Sequence, residues 1–369
     1  MPIRWLFALV VALSGLAFKA AAIEVCDAPP RFGLSPAAIA IARAACDEHR
    51  QWMRPFIDRQ GRLASLRVTE AESGNLADHG LVPWQRVAMY WRDSGTLSMV
   101  GGEAGTSSCL MPAGNRYTDS DCRAFIIDTP WSAAFVSWVM TRAGIAGFRR
   151  SPRHIDYIRA AWRDGGNGGP YRYADPAVEK PAPGDLLCYI RNGEQVLGHA
   201  GLTSSLAGSG HIPSQSHCDI VVAANVGGDR TLHLIGGNVL NAVTMRQLEL
   251  DRSGHVLLPV LDAVADDGQE GAGPGRECTP AQEELCNFNR QDWAVLLKLQ
   301  ATQPVPALPA TPALPIGAAA PGPAPMPAPS TPVPAGLQPA APTQVPVPSV
   351  ETVAPAEPEP DPAPSRPGP

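Results

Sequence analysis

Three residues stand in an order that could carry acyl-transfer chemistry: Ser132, His217 and Asn238. Ser132 follows Thr129-Pro130-Trp131, a helix-start signal, so its hydroxyl falls in the first turn of a helix. Unsatisfied N–H groups and the positive end of the helix dipole lie there, where they can help hold an oxyanion. His217 opens a predicted strand and can take the hydroxyl proton. Asn238 stands 21 residues further on, after Gly236-Gly237, and can fix the tautomer and orientation of the ring. His199, in Gly198-His199-Ala200-Gly201-Leu202, is the rival histidine. The pattern of turn, strand and Gly-Asn follows His217 and not His199, so His217 is preferred. Asp219 returns to the strand face of His217 and could hold the imidazole, though it reads equally as an exposed carboxylate. Trp131, His154 and Asp219 are the candidates for lining a binding cleft. Trp131 and Trp138 also read as core, and His154 and Tyr157 as structural positions on their helix.

The elements that must position these groups follow from periodicity and punctuation. Thr129 to Met140 is apolar on nearly every face, which predicts a helix buried on all sides and ending near Gly144. Ser151-Pro152 opens a second, amphipathic helix through Trp162, with Ile155, Ile158 and Ala161 inward. Earlier helices are expected from Ser35-Pro36 toward Arg54 and over Val82 to Tyr90, with a loop from Gly101 to Asp121. The period then changes. Strands are predicted at Leu186–Ile190, Cys218–Ala223, Thr231–Ile235, Ala242–Leu248 and Val256–Val260, with residues 192–216 an excursion between them. Helices first and strands afterwards predict an α+β fold, N-terminal helices packed on an antiparallel sheet.

The expected division is a signal peptide over 1–22, a helical region over 23–84, the main domain over 85–262, an extension with a short helix over 263–300 and a tail over 301–369. Arg4, the apolar run Leu6 to Phe18 and the small residues Ala20-Ala21-Ala22 make an export signal with a mature chain from Ile23. The apolar run is too short for a transmembrane helix. Ile23-Glu24-Val25 before Cys26 argues against a lipidated N-terminus. The expected location is the periplasm or the outside of the cell.

There, eight cysteines imply up to four disulfides. Local pairs are the natural choice: Cys26 with Cys46, Cys109 with Cys122, and Cys278 with Cys286, which leaves Cys188 with Cys218. The last pair would cross two strands, on the face opposite His217. A zinc site is the rival use of cysteine, but no CxxC or HExxH spacing is present, and no cofactor is expected. The net charge of −6 gives no support to nucleic-acid binding.

Of 40 prolines, 23 fall between Gln303 and Pro369, a stretch without aromatic residues. It cannot bury a core and predicts disordered polyproline II chain, on the order of 200 Å long at ~3.1 Å per residue. It reads as a spacer or as a ligand for a protein partner.

Three blocks carry a resemblance. PWSAAFVSWV resembles the helix start of CHAP and NlpC/P60 papain-like cysteine peptidases, PGDLLCYI resembles their PGD strand, and HCDIVVAANVGGDRTLHLIGGNV resembles their His strand and Gly-Asn return strand. The three together, over about residues 85 to 260, more closely resemble the DUF2272 family of exported bacterial proteins. The resemblance implies a papain-like fold, action on peptidoglycan or wall peptides, and a nucleophile at Ser132, histidine at His217 and orienting residue at Asn238. It also exposes a departure, because those peptidases use cysteine. A hydroxyl cannot be pre-ionised as a thiolate can, so it needs a true base at the moment of attack. Two functions follow as expectations: a Ser-His-Asn hydrolase of amide or ester bonds, or a non-catalytic binding or scaffolding module whose tail reaches a partner.

Overall fold

The computed structural model describes residues 24–110, 114–165, 168–191, 196–208, 215–259, 261 and 286–300. The export signal over 1–22, the tail over 301–369 and Cys278 lie outside the described residues.

Among the described residues six α-helices and eight strands make an α+β fold. In chain order they are α1 (Pro36–Gln51), β1 (Phe56–Ile57), β2 (Leu63–Ser65), α2 (Pro83–Asp93), α3 (Arg116–Asp128), α4 (Ser132–Arg142), α5 (His154–Arg163), β3 (Tyr171–Ala174), β4 (Leu186–Ile190), α6 (Gly198–Ala207), β5 (Ser216–Ala224), β6 (Thr231–Val239), β7 (Ala242–Glu249) and β8 (Asp292–Leu299). One sheet takes the strands in the order β2-β1-β7-β6-β5-β4-β8-β3. Every pairing is antiparallel except β1 with β7. Among the described residues no helix is long and apolar enough to cross a membrane.

Alternation along the strands builds two apolar layers. Leu186, Cys188 and Ile190 of β4 and Cys218, Ile220 and Val222 of β5 join the helices in the main core. Leu187 and Tyr189 of β4, Val221 of β5 and Trp293 and Leu296 of β8 form a second cluster on the other face. Helix α4 has nine buried residues from Ser132 to Met140, as its uniform apolarity requires. It lies against β6 because Gly237 has no side chain: a Cβ there would come within 2.5 Å of the Phe135 ring.

Among the described residues three disulfides brace this frame, Cys26–Cys46, Cys109–Cys122 and Cys188–Cys218. The third joins residues directly opposite each other on β4 and β5.

Several sequence expectations need correction. The loop expected over Gly101–Asp121 gives way to α3 from Arg116, because the Asn115 side chain accepts the Tyr117 N–H at 3.0 Å and caps the helix. Inside the excursion at 192–216 lies α6, whose start is held by the Asp292 carboxylate accepting the N–H groups of Leu197 and Gly198 at 2.7 and 2.9 Å. Of the strand expected at Val256–Val260, whose last residue lies outside the described residues, a single bridge from Leu250 to Val256 is formed. Ahead of it Asp251 folds the chain into a turn by accepting the N–H groups of Ser253 and His255. In the extension at 263–300, Asp292–Leu299 is no appendage. It is β8, paired on both edges with β4 and β3. A short continuous apolar run such as Trp293 to Leu297 has no period that separates a strand from a buried helix. The region before residue 84 likewise adds β1 and β2 to the sheet.

Candidate functional site

Ser132 is the first residue of α4 and His154 the first residue of α5. The two helix starts are tied together below the site. The Ser137 hydroxyl on α4 donates to the Ser151 carbonyl at 3.1 Å and accepts the Ser151 N–H at 3.1 Å. The Ser151 hydroxyl donates to Asp156 at 2.6 Å and accepts the Arg153 N–H at 3.1 Å, fixing the turn that enters α5. On the other side Trp131, the cap residue of α4, is buried, stacks on Trp52 at 5.7 Å and donates its indole N–H to Glu70 at 3.0 Å. Burial raises the Glu70 carboxyl above its ordinary range.

With both starts fixed, His154 Nε2 lies 2.7 Å from Ser132 Oγ. The Tyr157 hydroxyl, one turn on along α5, contacts His154 Nδ1. Ser132 and His154 open on a cleft of about 1100 Å³, walled by Trp91, Met99, Val100, Pro130 and Phe148 and edged by arginines.

A second pair stands behind. His217, at the start of β5, has its Nε2 2.8 Å from Asp219 Oδ1. The carboxylate can only accept, so Nε2 carries the ring proton. Asp219 Oδ2 accepts from Arg246 Nε at 3.2 Å, and Arg246 Nη1 donates to Asn289 Oδ1 at 3.0 Å and to the Phe288 carbonyl. The rings of His154 and His217 are 5.0 Å apart, and Tyr189 packs on His217 at 5.1 Å. Gly236 on β6 makes room for the pair. A Cβ there would lie 1.9 Å from Asp219 Oδ1 and 3.0 Å from His217 Nε2.

The electrostatics keep both rings neutral. Burial drives the His154 imidazole well below its ordinary value, and the neighbouring His217, which would repel a second ring proton, and the Arg191 guanidinium push it the same way. Burial also lowers His217, against the opposing pull of Asp219. Asp219 itself would rise on burial, but His217 and Arg246 outweigh that and hold it low. The His217–Asp219–Arg246 chain is therefore a buried carboxylate between a guanidinium and a neutral ring.

The expected residues are thus partly rearranged. Ser132 lies at the helix start where acyl-transfer chemistry needs it. Its hydrogen-bonded histidine is His154, not His217. The reason is that α5 enters beside α4, while the His217 side chain turns to Asp219. Asn238 makes no hydrogen bond to His217. It has a left-handed backbone (φ 55°) in the irregular register between Gly236 and Val239, and Asp219 takes the orienting place. His199 lies elsewhere, on α6, bonded through Nδ1 to the Ala294 carbonyl at 2.9 Å. Trp131 is core rather than cleft lining. One detail of the sequence does point to His154: it follows Pro152 at the same offset at which Ser132 follows Pro130. Among the described residues one group, Glu24, Cys26 and His49, has metal-ligand spacing, but Cys26 is bonded to Cys46 and has no thiolate to offer.

Comparison with known proteins identifies a family. A family described as an uncharacterized protein conserved in bacteria, DUF2272, matches residues 78–299, more than half of the chain and wide enough to include β8. No curated protein and no solved structure matches it. The site from Ser132 to Arg246 lies wholly within the matched region, and the chain belongs to the DUF2272 family.

Proposed function

We propose that this protein is a hydrolase that cleaves an amide or ester bond by acyl transfer, with Ser132 as nucleophile and His154 as base. The observation that carries the proposal is the 2.7 Å contact between Ser132 Oγ and His154 Nε2 on the wall of an open cleft. That distance is within the reach a general base needs. Ser132 Oγ attacks the acyl carbon, and its proton passes to His154 Nε2. The tetrahedral intermediate then collapses, and the leaving amine or alcohol takes that proton. Water attacks the acyl-enzyme with His154 again as base, releasing the acid and restoring Ser132. The N–H groups at the start of α4 are the candidates to hold the oxyanion. His217, fixed by Asp219 and Arg246, supports His154 from behind.

A buried helix whose first residue is Ser132, packed on a mostly antiparallel sheet, supports a papain-like scaffold related to CHAP and NlpC/P60 peptidases, with serine in place of cysteine. Three disulfides support a site of action outside the cytoplasm, in the periplasm or beyond, near wall peptides. A protein partner for the proline-rich tail belongs to the same proposal.

One observation favours a second reading, a non-catalytic binding module. If the Tyr157 hydroxyl donates to His154 Nδ1, the ring proton sits on Nε2 and points at Ser132, which then has no base. If Tyr157 accepts instead, Nε2 is free to take the serine proton. A fluorophosphonate probe separates the two readings. The hydrolase reading expects stoichiometric labelling of the mature protein that Ser132→Ala abolishes. Unlabelled wild-type protein would leave the binding module.

A further inference from the structure

Several arginines stand around this cleft. Arg149, Arg150, Arg153 and Arg191 line it, and Asp156 is the one acid among its lining residues. Asp156 is already engaged, accepting from Arg153 Nε and Nη2 at 3.1 Å each and from the Ser151 hydroxyl. Arg150 is turned aside, with Nη1 3.3 Å from the Ser94 carbonyl. Among the described residues the partner of Arg191 is neutral: its Nη2 donates to the Tyr189 hydroxyl at 2.9 Å and its guanidinium lies 5.3 Å from that ring centroid. Arg149 is exposed on the cleft wall. Among the described residues no carboxylate pairs with Arg149, Arg150 or Arg191. The chain as a whole carries a net charge of −6, so this surplus of positive charge is local.

Two further features have the same sign. Both α4 and α5, of 11 and 10 residues, begin at the cleft, so both present their positive ends to it. The apolar walls of Trp91, Met99, Val100 and Phe148 lower the local dielectric and lengthen the reach of each charge. A neutral ligand would leave the Arg149 and Arg191 guanidinium groups, which have no carboxylate partner among the described residues, without a counter-charge.

We propose that the cleft binds a substrate carrying a carboxylate next to its reacting acyl group, with Arg191 taking the carboxylate nearest Ser132 and Arg149 a negative group further along. The proposal rests on the hydrolase reading for the word acyl. The choice of an anionic ligand rests on the arginines and the two helix starts, not on that reading. The planar guanidinium fork suits a carboxylate in two-point contact, which a lysine would not reproduce.

The test uses the full-length Ser132→Ala variant, which separates binding from turnover, and two peptides, acetyl-Ala-Glu-Ala-amide and its glutamine counterpart. Calorimetry is expected to show the acidic peptide binding at least tenfold tighter, a preference that shrinks as salt rises. Arg149→Ala with Arg191→Ala should remove the preference, and lysine at both positions should restore only part of it. Equal binding of the two peptides, or binding of neither, overturns the proposal. So does displacement of both by inorganic phosphate alone with no preference between them, which marks a general anion site. Wild-type protein that resists fluorophosphonate while the variant keeps the acidic preference sinks the hydrolase reading and leaves this one standing. Labelling without the preference does the reverse.

Discussion

Ser132 Oγ and His154 Nε2 are 2.7 Å apart although 22 residues separate them, and each is the first residue of its own helix. Two dipole ends and a hydrogen-bonded nucleophile-base pair therefore share one point. If His154 is the base, His154→Gln should lower the fluorophosphonate labelling rate by roughly 10²- to 10⁴-fold, the ordinary worth of a positioned base. His217→Gln should cost less, because it leaves the pair in contact. Labelling rates of the two variants rank them directly, and the opposite ranking would make His217 the base.

The pH profile carries a sharper signature. Burial first, then the neighbouring His217 and the Arg191 guanidinium, hold His154 well below its ordinary value of 6.5. A base with a lowered pKa stays neutral, and so competent, further into acid. The acid limb of the labelling rate should therefore fall below pH 6.5, not at it. Arg191→Ala removes one of the depressing charges, so it should move that limb upward. A limb that stays fixed in the variant would mean that Arg191 does not act on the ring.

Gly236 predicts a loss from adding a single methyl group. Its Cβ would stand 1.9 Å from Asp219 Oδ1, a buried side-chain oxygen whose carboxylate is held by His217 Nε2 and Arg246 Nε. Gly236→Ala should break the His217–Asp219 contact and cost about 1–3 kcal/mol of stability from overpacking. Urea denaturation measures the cost. The labelling rate of the protein that remains folded should fall about as far as in His217→Gln, since both changes disable the same support.

Much of this frame was legible, and the misses share a cause. The helix that carries Ser132 announced itself by Thr-Pro and an unbroken apolar run. Cys188 and Cys218 announced a cross-strand bridge by placing it opposite His217 on an alternating strand, and they form it. What a sequence period reports is one element at a time. The meeting of α4 with α5 is instead set by the Ser137–Ser151 bridge, which joins two small polar residues with no special spacing. Asn238 looked like the orienting residue because it ends the right strand, yet its left-handed backbone takes it out of the ladder. Asp219 holds the ring from two residues away on the same strand face, the alternation rule at its simplest. Strand β8 was hidden by its own burial: apolar on both faces, it shows no alternation to read.

Arg246 is the one group that satisfies Asp219 from the side opposite His217, and it is 3% exposed. Arg246→Met keeps the volume but leaves a buried carboxylate short of a counter-charge, which typically costs about 3–5 kcal/mol. Replacing Asp219 as well, as Asp219→Asn in the same chain, should recover part of that loss, since the uncompensated charge goes with it. Urea midpoints of the single and double variants measure the coupling. Additive losses would mean that the pair contributes no coupling to stability.

Acid stability should depend in part on a histidine remote from the cleft. His49 is buried, with Nε2 2.9 Å from the Pro55 carbonyl, so it carries its proton on Nε2 and leaves Nδ1 without a partner. Burial pushes it down to about 4, with Arg54 and Arg50 adding to the effect against the Pro55 hydrogen bond. The unfolded chain, at the ordinary 6.5, binds the proton first. Stability from this group is therefore complete above pH 6.5 and drains away as pH falls toward 4, by about 3 kcal/mol in all. His154 and His217, also lowered, act in the same direction. His49→Gln keeps an N–H donor for Pro55 but cannot titrate. Urea unfolding at pH 7, 5.5 and 4.5 should show the variant losing less stability with acid than wild type, by roughly 1.4 kcal/mol per pH unit inside that window. Parallel curves for the two proteins would mean that His49 is already neutralised in the unfolded chain or reaches solvent in the folded one.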